Sequence, residues 1–157
     1  MEKCLGCEII NGRIITPGGI IYEDEHWMLT HSVSSHLPPL KGMLILQPKR
    51  HCEHLAQLTS GETENLGLLL RNTCKAIEEI LYPSKIYACS AGEGVKHVHF
   101  MIIPRMDGMT IGADLLNEVI EDHLWTCSVE EATDVAIKVR NQLHLWLVPR
   151  GKSNLPT

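Results

Sequence analysis

The sequence has no long apolar run and no secretory signal. No stretch approaches the roughly 20 apolar residues of a membrane span, and the first eight residues lack the apolar core of a signal peptide. We therefore expect a cytoplasmic protein without a membrane partner.

An excess of positive charge is also missing. The 14 Lys and Arg residues are outnumbered by 19 Asp and Glu residues, which gives a formal net charge of -5. Proteins that bind nucleic acid along an extended surface depend on clustered Lys and Arg. We therefore expect no nucleic-acid partner, although the composition leaves room for a local phosphate pocket.

Internal repeats and low-complexity tracts are absent as well. A chain of 157 residues with 44% hydrophobic content suits one packed core, so we expect a single domain over residues 1–150 and a loose tail over 151–157. In a reducing compartment the six cysteines are not expected to form a disulfide framework. Only Cys4 and Cys7, in the N-terminal segment 1–12, have an informative spacing.

Hydrophobic patterning predicts an α+β fold. The main helix begins at a capping box formed by Thr59 and Glu62 and ends before Pro83, and a C-terminal helix covers about 128–146. Strands are predicted at 20–22, 27–30, 43–46, 86–89 and 95–103. Because these helices do not alternate regularly with the strands, an antiparallel sheet fits better than a parallel one.

The strand predicted over 95–103 contains two histidines with alternate spacing. In a strand His97, His99 and Met101 would share one face, with the two imidazoles about 6.6 Å apart. Such a pair can bind a metal, or it can supply a nucleophile and its orienting partner beside an anion-binding glycine loop. Two half-exposed histidines on a sheet surface are the alternative interpretation.

The segment from Gly92 to Arg105 resembles the signature of the histidine-triad (HIT) family, in which a glycine-containing loop leads into alternating histidines and then Pro-Arg. The resemblance extends upstream through residues 4–7, 22–25 and 42–51. It implies a HIT-like fold with a five-stranded antiparallel sheet, a main helix and a C-terminal helix, usually in a homodimer. It also implies nucleotide chemistry at the α-phosphate, with the middle histidine, His99, as the nucleophile that forms a nucleotidyl intermediate.

Several positions of this chain depart from the family pattern. The third histidine is replaced by Met101, which cannot donate a hydrogen bond to a phosphate oxygen. In the loop, Glu93 replaces the usual Gln and Gly94 the usual Ser or Thr, while His31 lies where a ribose-binding Asp or Asn is common. The substrate-binding residues that the resemblance implies are His97, Met101, Gly92, Glu93, Gly94 and His31.

Cys4 and Cys7 have the spacing of half a zinc site, because structural zinc requires four ligands. Some bacterial HIT proteins bind zinc through such a pair together with two histidines, which by resemblance are His51 and His97 here. The set would be a structural zinc centre. A pair of free thiols is the alternative.

Three functions follow from these observations. The first is a HIT-type hydrolase or nucleotidyl transferase acting on a nucleotidyl ester, amidate or dinucleoside polyphosphate. The second is a nucleotide-binding regulatory homodimer without turnover, which the changes at Glu93, Gly94 and Met101 favour. The third is an enzyme that uses a metal on the His-x-His pair catalytically.

Lys49 and Arg50 either attract phosphate or form a solvated strand end. The remaining histidines, for which we expect only surface or local packing roles, are His26, His36, His54, His123 and His144.

Overall fold

A computed structural model describes residues 4–34, 38–120 and 125–147. Its five strands form one sheet in the order β1-β2-β3-β5-β4, and all neighbouring strands are antiparallel. The strands are β1 (Ile20–Glu23), β2 (Trp27–His31), β3 (Leu44–Pro48), β4 (Lys85–Cys89) and β5 (Phe100–Arg105). The predicted α+β fold with a five-stranded antiparallel sheet is therefore confirmed.

Among the described residues, five α-helices and a short 3-10 helix at Leu55–Gln57 accompany the sheet. The α-helices are α1 (Leu5–Ile10), α2 (Ser60–Glu64), α3 (Leu66–Leu81), α4 (Ala113–Ile120) and α5 (Val129–Leu147). Across the described ranges, no helix is both long and apolar enough to cross a membrane.

The two faces of the sheet support different structures. On one face, alternate residues such as Trp27, Leu29 and Leu44 pack with the apolar sides of α3 and α5 in the main core. On the other face, Met101 and neighbouring side chains form a smaller cluster with α4. That second cluster consists of Met43, Met101, Ile103, Leu115 and Val119. Met101, one of the predicted site residues, lies on this second face.

Both predicted capping boxes are present. The Thr59 hydroxyl accepts from the Glu62 backbone N–H, while the Glu62 carboxylate accepts from the Thr59 N–H. Ser128 and Glu131 make the same reciprocal pair at the start of α5. Each pair satisfies backbone donors that the first helical turn cannot pair internally.

Three expectations about the elements were wrong. The predicted main helix is two helices, because the helix is interrupted at Asn65, which ends α2 and precedes α3. Helix α4 was not predicted at all. The strand over 95–103 is shorter than expected: β5 begins at Phe100, so His97 and His99 precede the strand instead of belonging to it.

The reason for the late start of β5 is visible in the backbone. The His97 N–H donates to the Val95 carbonyl in a tight turn, and the Val98 N–H donates to the Cys52 carbonyl of a distant loop. These bonds replace ladder bonds to β3, which pairs with β5 only from Phe100 onward. The expectations for His36, His123 and the tail 151–157 lie outside the described residues.

Candidate functional site

His97 is the centre of a cluster of thiols and imidazoles. The Cys4 and Cys7 sulfurs lie 3.5 Å and 3.7 Å from His97 Nδ1, and the Cys7 sulfur lies 3.3 Å from His51 Nδ1. One ligand atom from each of Cys4, Cys7, His51 and His97 lies within 4.8 Å of the others. The structure thus brings together all four residues that the resemblance implied.

The spacing of these atoms fits a tetrahedral ion. With zinc bond lengths of about 2.3 Å to sulfur and 2.05 Å to nitrogen, a tetrahedron places sulfur and nitrogen about 3.6 Å apart. The three sulfur–nitrogen distances of 3.3, 3.5 and 3.7 Å lie around this value. Two thiols and two imidazoles are also the donor set that zinc prefers.

The orientation of His97 supports the same conclusion. Its Nε2–H donates to the Pro48 carbonyl at 2.9 Å, which leaves the Nδ1 lone pair facing the thiols. Metal-binding histidines commonly donate their second ring N–H to such an acceptor. His97 is 0% exposed, and burial lowers its pKa, so the neutral form that a metal requires is favoured.

Gly6, between the two thiols, lets helix α1 approach the imidazole closely. A Cβ atom at this position would lie 2.8 Å from His97 Cγ and 3.0 Å from the Gln47 side-chain oxygen. Burial and then the neighbouring Cys4 raise the pKa of Cys7 to about 11, so its thiol is protonated at neutral pH without a metal. A metal ion that binds here would displace this proton.

His99 is held differently from His97. Its Nδ1–H donates to the backbone carbonyl of His97 at 2.7 Å, so in the neutral ring Nε2 is the nitrogen without a proton. His99 is partly buried and lines a cavity of about 370 Å³, a volume in the usual range for small-molecule sites. An imidazole with one nitrogen fixed by an acceptor and the other free has the geometry of a nucleophile or base.

The cavity brings most of the predicted substrate-binding residues together. His31, Gly92, Glu93, Gly94 and Met101 all line it with His99. His97 is the exception, because its side chain belongs to the thiol cluster and does not line the cavity. The rest of the lining is mainly apolar and comes mostly from α1, from residues 32–34 and 38–40 of the connection after β2, and from Met43 and β3, with Val119 added by α4.

Sequence reasoning missed several of these apolar lining residues. They include Leu5, Ile9, Met43, Ile45 and Val119. The available signals were weak: the alternation of Met43 and Ile45 in the strand predicted at 43–46, and the spacing of Leu115 and Val119 in the unpredicted helix α4. Together these residues form an apolar surface of the cavity beside His99.

His31 is a fully buried polar residue of the cavity lining, 0% exposed. Its Nδ1 bonds to the Ser32 carbonyl, whereas its Nε2 has no hydrogen-bond partner among the described residues. Burial lowers the pKa of His31, which keeps the ring neutral at pH 7. A neutral ring bonded in this way leaves Nε2 as an acceptor.

Lys49 and Arg50 do not line the cavity. Lys49 pairs with Glu23 and with the Asp24 carbonyl, and Arg50 pairs with Glu62 and the Gln57 carbonyl. Of the two readings for this basic pair, the structure therefore favours a strand end tied to neighbouring loops.

Comparison with known proteins identifies the family. The profile of the HIT domain matches residues 15–108. An uncharacterized HIT-like protein of Methanocaldococcus jannaschii is 32% identical over 109 residues, which are 67% of this chain and 81% of that protein. The Protein hit of Bacillus subtilis is 30% identical over 109 residues, 66% of this chain and 72% of that protein. The chain belongs to the HIT family.

Solved structures show the same fold. A zinc-bound histidine triad family protein from Mycobacterium smegmatis superposes with a TM-score of 0.67 at 18% identity, over 91% of this chain and 96% of that chain. A Hit-like protein from Bartonella henselae, described as involved in cell-cycle regulation, gives 0.69 at 20% identity, over 91% and 98%. At these identities the likeness concerns the fold.

Proposed function

We propose that this protein is a HIT-type hydrolase or nucleotidyl transferase acting at the α-phosphate of a nucleotidyl ester, amidate or dinucleoside polyphosphate. The observation that carries the proposal is the bond from His99 Nδ1–H to the His97 carbonyl, which leaves His99 Nε2 unprotonated beside the cavity. Membership of the HIT family supports a nucleotide as the ligand.

The reaction has two steps. The lone pair of His99 Nε2 attacks the α-phosphorus, forming a P–N bond as the bond to the leaving group breaks, and the leaving group departs with that electron pair and accepts a proton. Water, or an acceptor hydroxyl in the transferase case, then attacks phosphorus, loses its proton and displaces His99. A covalent intermediate divides one difficult displacement into two easier ones.

The glycine loop before His97 and residue Met101 of β5 influence the rate of this reaction. Backbone N–H groups of the loop that contains Gly92 and Gly94 can bind phosphate oxygens, since such loops form anion-binding concavities. Met101 supplies no donor, and loss of a single transition-state donor typically lowers the rate about 10²–10³-fold. We therefore propose a slow enzyme.

We also propose that zinc binds here in a structural role, with Cys4, Cys7, His51 and His97 as its ligands. All four positions of a tetrahedral ion are supplied by the protein, and His99 is outside this group. A site without an open position provides folding energy, not a reactive water. The arrangement thus argues against the third hypothesis, a catalytic metal on the His-x-His pair.

A nucleotide-binding homodimer without turnover is the second candidate. The observation that favours it is the burial of Met101 in an apolar cluster, which provides no proton donor for a leaving group. Dimerisation belongs to both candidates, since β4 is an edge strand of the described sheet and can accept a second subunit. In either case we propose a cytoplasmic protein.

Trapping of the intermediate separates the two candidates. Adenosine 5′-phosphoramidate, mixed with the protein and quenched in base, should give an adduct of one adenylyl mass located on His99 by peptide mass spectrometry. His99→Ala should give neither adduct nor product, whereas His144→Ala, an exposed histidine on α5, should behave like the wild type. Binding without adduct or product in the wild type would instead support the non-catalytic candidate.

A further inference from the structure

Helix α1 takes part in two sites at once. Cys4 and Cys7 belong to the thiol–imidazole cluster, while Leu5, Gly6 and Ile9 line the cavity that contains His99. We propose that a metal ion on the cluster holds α1 in place as a wall of the nucleotide cavity, so that metal and nucleotide each strengthen the binding of the other. The inference rests on the proposed function in taking a nucleotide as the ligand.

Helix α1 is too short to be stable alone. It has six residues, whereas isolated helices shorter than about 12–15 residues are marginal in water. Its N-cap residue, Cys4, makes no capping hydrogen bond with its side chain. The order of α1 must therefore come from contacts with the rest of the protein.

Few of those contacts are independent of the cluster. Only Gly6 and Ile9 are buried within α1, and the polar contact from Gln47 to the Gly6 carbonyl is long, at 3.5 Å. The sulfurs of Cys4 and Cys7, by contrast, approach imidazoles on two separate loops, after β3 and before β5. Four metal–ligand bonds would fasten α1 to both loops.

A displacement of α1 would alter the cavity directly. A Cβ atom at Gly6 would meet both His97 and Gln47, and both Gly6 and Gln47 line the cavity. His97 in turn holds His99 through its backbone carbonyl. Loss of the metal would thus disturb one cavity wall and the support of the reactive imidazole.

The coupling must be reciprocal. If the metal orders α1 in advance, the nucleotide no longer meets the entropy cost of ordering it, and its affinity rises. Linkage requires the nucleotide to raise the affinity for the metal by the same factor, and coupling of this kind typically amounts to about 5–150-fold. We expect at least about 5-fold in each direction.

Calorimetric titration of the full chain tests both directions. AMP, GMP, CMP and UMP are titrated into zinc-loaded protein and into protein stripped with a chelator, and zinc affinity is measured by competition with and without saturating nucleotide. Hydrogen exchange supplies the second readout: zinc should slow exchange of the amides of Glu8, Asn11 and Gly12, which bond within the α1 segment. Circular dichroism checks that the stripped protein keeps its sheet and long helices.

Matched variants locate the effect in the cluster. Cys4→Ser should bind nucleotide as weakly as the stripped wild type and should not respond to zinc. Cys74→Ala, which removes a thiol on α3 far along the chain from the cluster, should keep the full zinc response.

The outcomes distinguish this inference from the proposed function. Equal nucleotide affinity with and without zinc would overturn the coupling and leave the proposed function standing. No binding of any nucleotide in either form would overturn the proposed function and the coupling with it. Global unfolding of the stripped protein would also overturn the coupling, because the metal would then support the whole fold and not α1.

Discussion

His99 is oriented by a main-chain group of His97, because its Nδ1–H donates to the His97 carbonyl over 2.7 Å. The side chain of His97 faces the thiols of Cys4 and Cys7. His97 thus contributes its backbone carbonyl to the orientation of His99 and its ring to the cluster with Cys4, Cys7 and His51.

This bond predicts the tautomer of His99. We expect neutral His99 to carry its proton on Nδ1 and to leave Nε2 unprotonated, because the carbonyl accepts only from a protonated nitrogen. Long-range ¹⁵N–¹H correlation spectra of histidine-labelled protein above pH 7.5 measure this directly, with exposed His144 as the internal comparison for a mixed population. A protonated Nε2 at His99 would contradict the geometry.

Met101→His should raise turnover. The substitution restores a ring that can donate to a phosphate oxygen or to the leaving group, and one such donor is worth about 10²–10³-fold in rate. Some of this gain will be lost, since the new ring enters an apolar cluster with Leu115 and Val119, so we expect about 10-fold. Single-turnover kinetics with adenosine 5′-phosphoramidate measure it.

The control for this substitution is Met106→His, which follows β5 and does not line the cavity. It should leave the rate unchanged. An equal increase in both variants would show that an added histidine acts nonspecifically, and no increase in Met101→His would show that position 101 is remote from the reacting phosphate.

Two glycine substitutions should change stability in opposite directions. Gly6→Ala places a Cβ atom 2.8 Å from His97 Cγ, so the imidazole or α1 must move, and we expect weaker zinc binding and a loss of about 1–3 kcal/mol of stability. Gly67→Ala, in α3, meets nothing within 4 Å and should raise stability by about 0.5 kcal/mol because alanine favours a helix.

Urea unfolding in the presence and absence of zinc measures both effects. A Gly6→Ala protein with wild-type stability and wild-type zinc affinity would show that α1 does not lie against His97 as described.

Because of Glu62, the stability of the folded protein should depend on pH in the acid range. Its carboxylate accepts hydrogen bonds from Arg50, which is the main reason that its pKa is lowered from 4.5 to about 2. Since the folded-state pKa is the lower one, the stabilisation is complete above about pH 4.5 and is lost as the pH falls through about 2. Glu62→Gln should cost about 2 kcal/mol at pH 7, through a lost charged hydrogen bond and a weaker cap.

The size of the effect should shrink as the pH is lowered from 5 to 2.5. Urea unfolding across this range measures it, and Glu64→Gln, an exposed change on the same helix, is the matched control. A deficit in Glu62→Gln that stays constant with pH would show that the carboxylate does not act through its charge.

Local signals in the sequence predicted much of the fold. The capping boxes at Thr59 and Ser128 depend on residues three positions apart, so both could be identified without tertiary information. The start of β5 could not, because the segment before Phe100 bonds to Cys52, about 46 residues away, instead of to a neighbouring strand. Helix α4 is short, and its apolar residues serve the second sheet face, which sequence patterning did not reveal.

In the candidate site, too, local patterns could be identified from the sequence, whereas contacts between distant segments could not. The alternation of His97 and His99 suggested two rings on one face of a strand, but β5 begins only at Phe100, and one ring lies in the thiol cluster while the other lies in the cavity. The spacing of Cys4 and Cys7 indicated only two of the four residues of the thiol–imidazole cluster, because Cys4 and His97 are 93 residues apart in the chain. Family resemblance supplied the other half.

The methionines at positions 43 and 101 have a consequence for ligand selection. Met43 lies immediately before β3 and Met101 lies in the neighbouring strand β5, and both belong to the apolar cluster and line the cavity beside His99. Each additional phosphate that a ligand places over this surface would shed water without gaining a side-chain hydrogen bond from it. Discrimination among nucleotides should therefore depend more on the base and sugar than on the length of the phosphate chain.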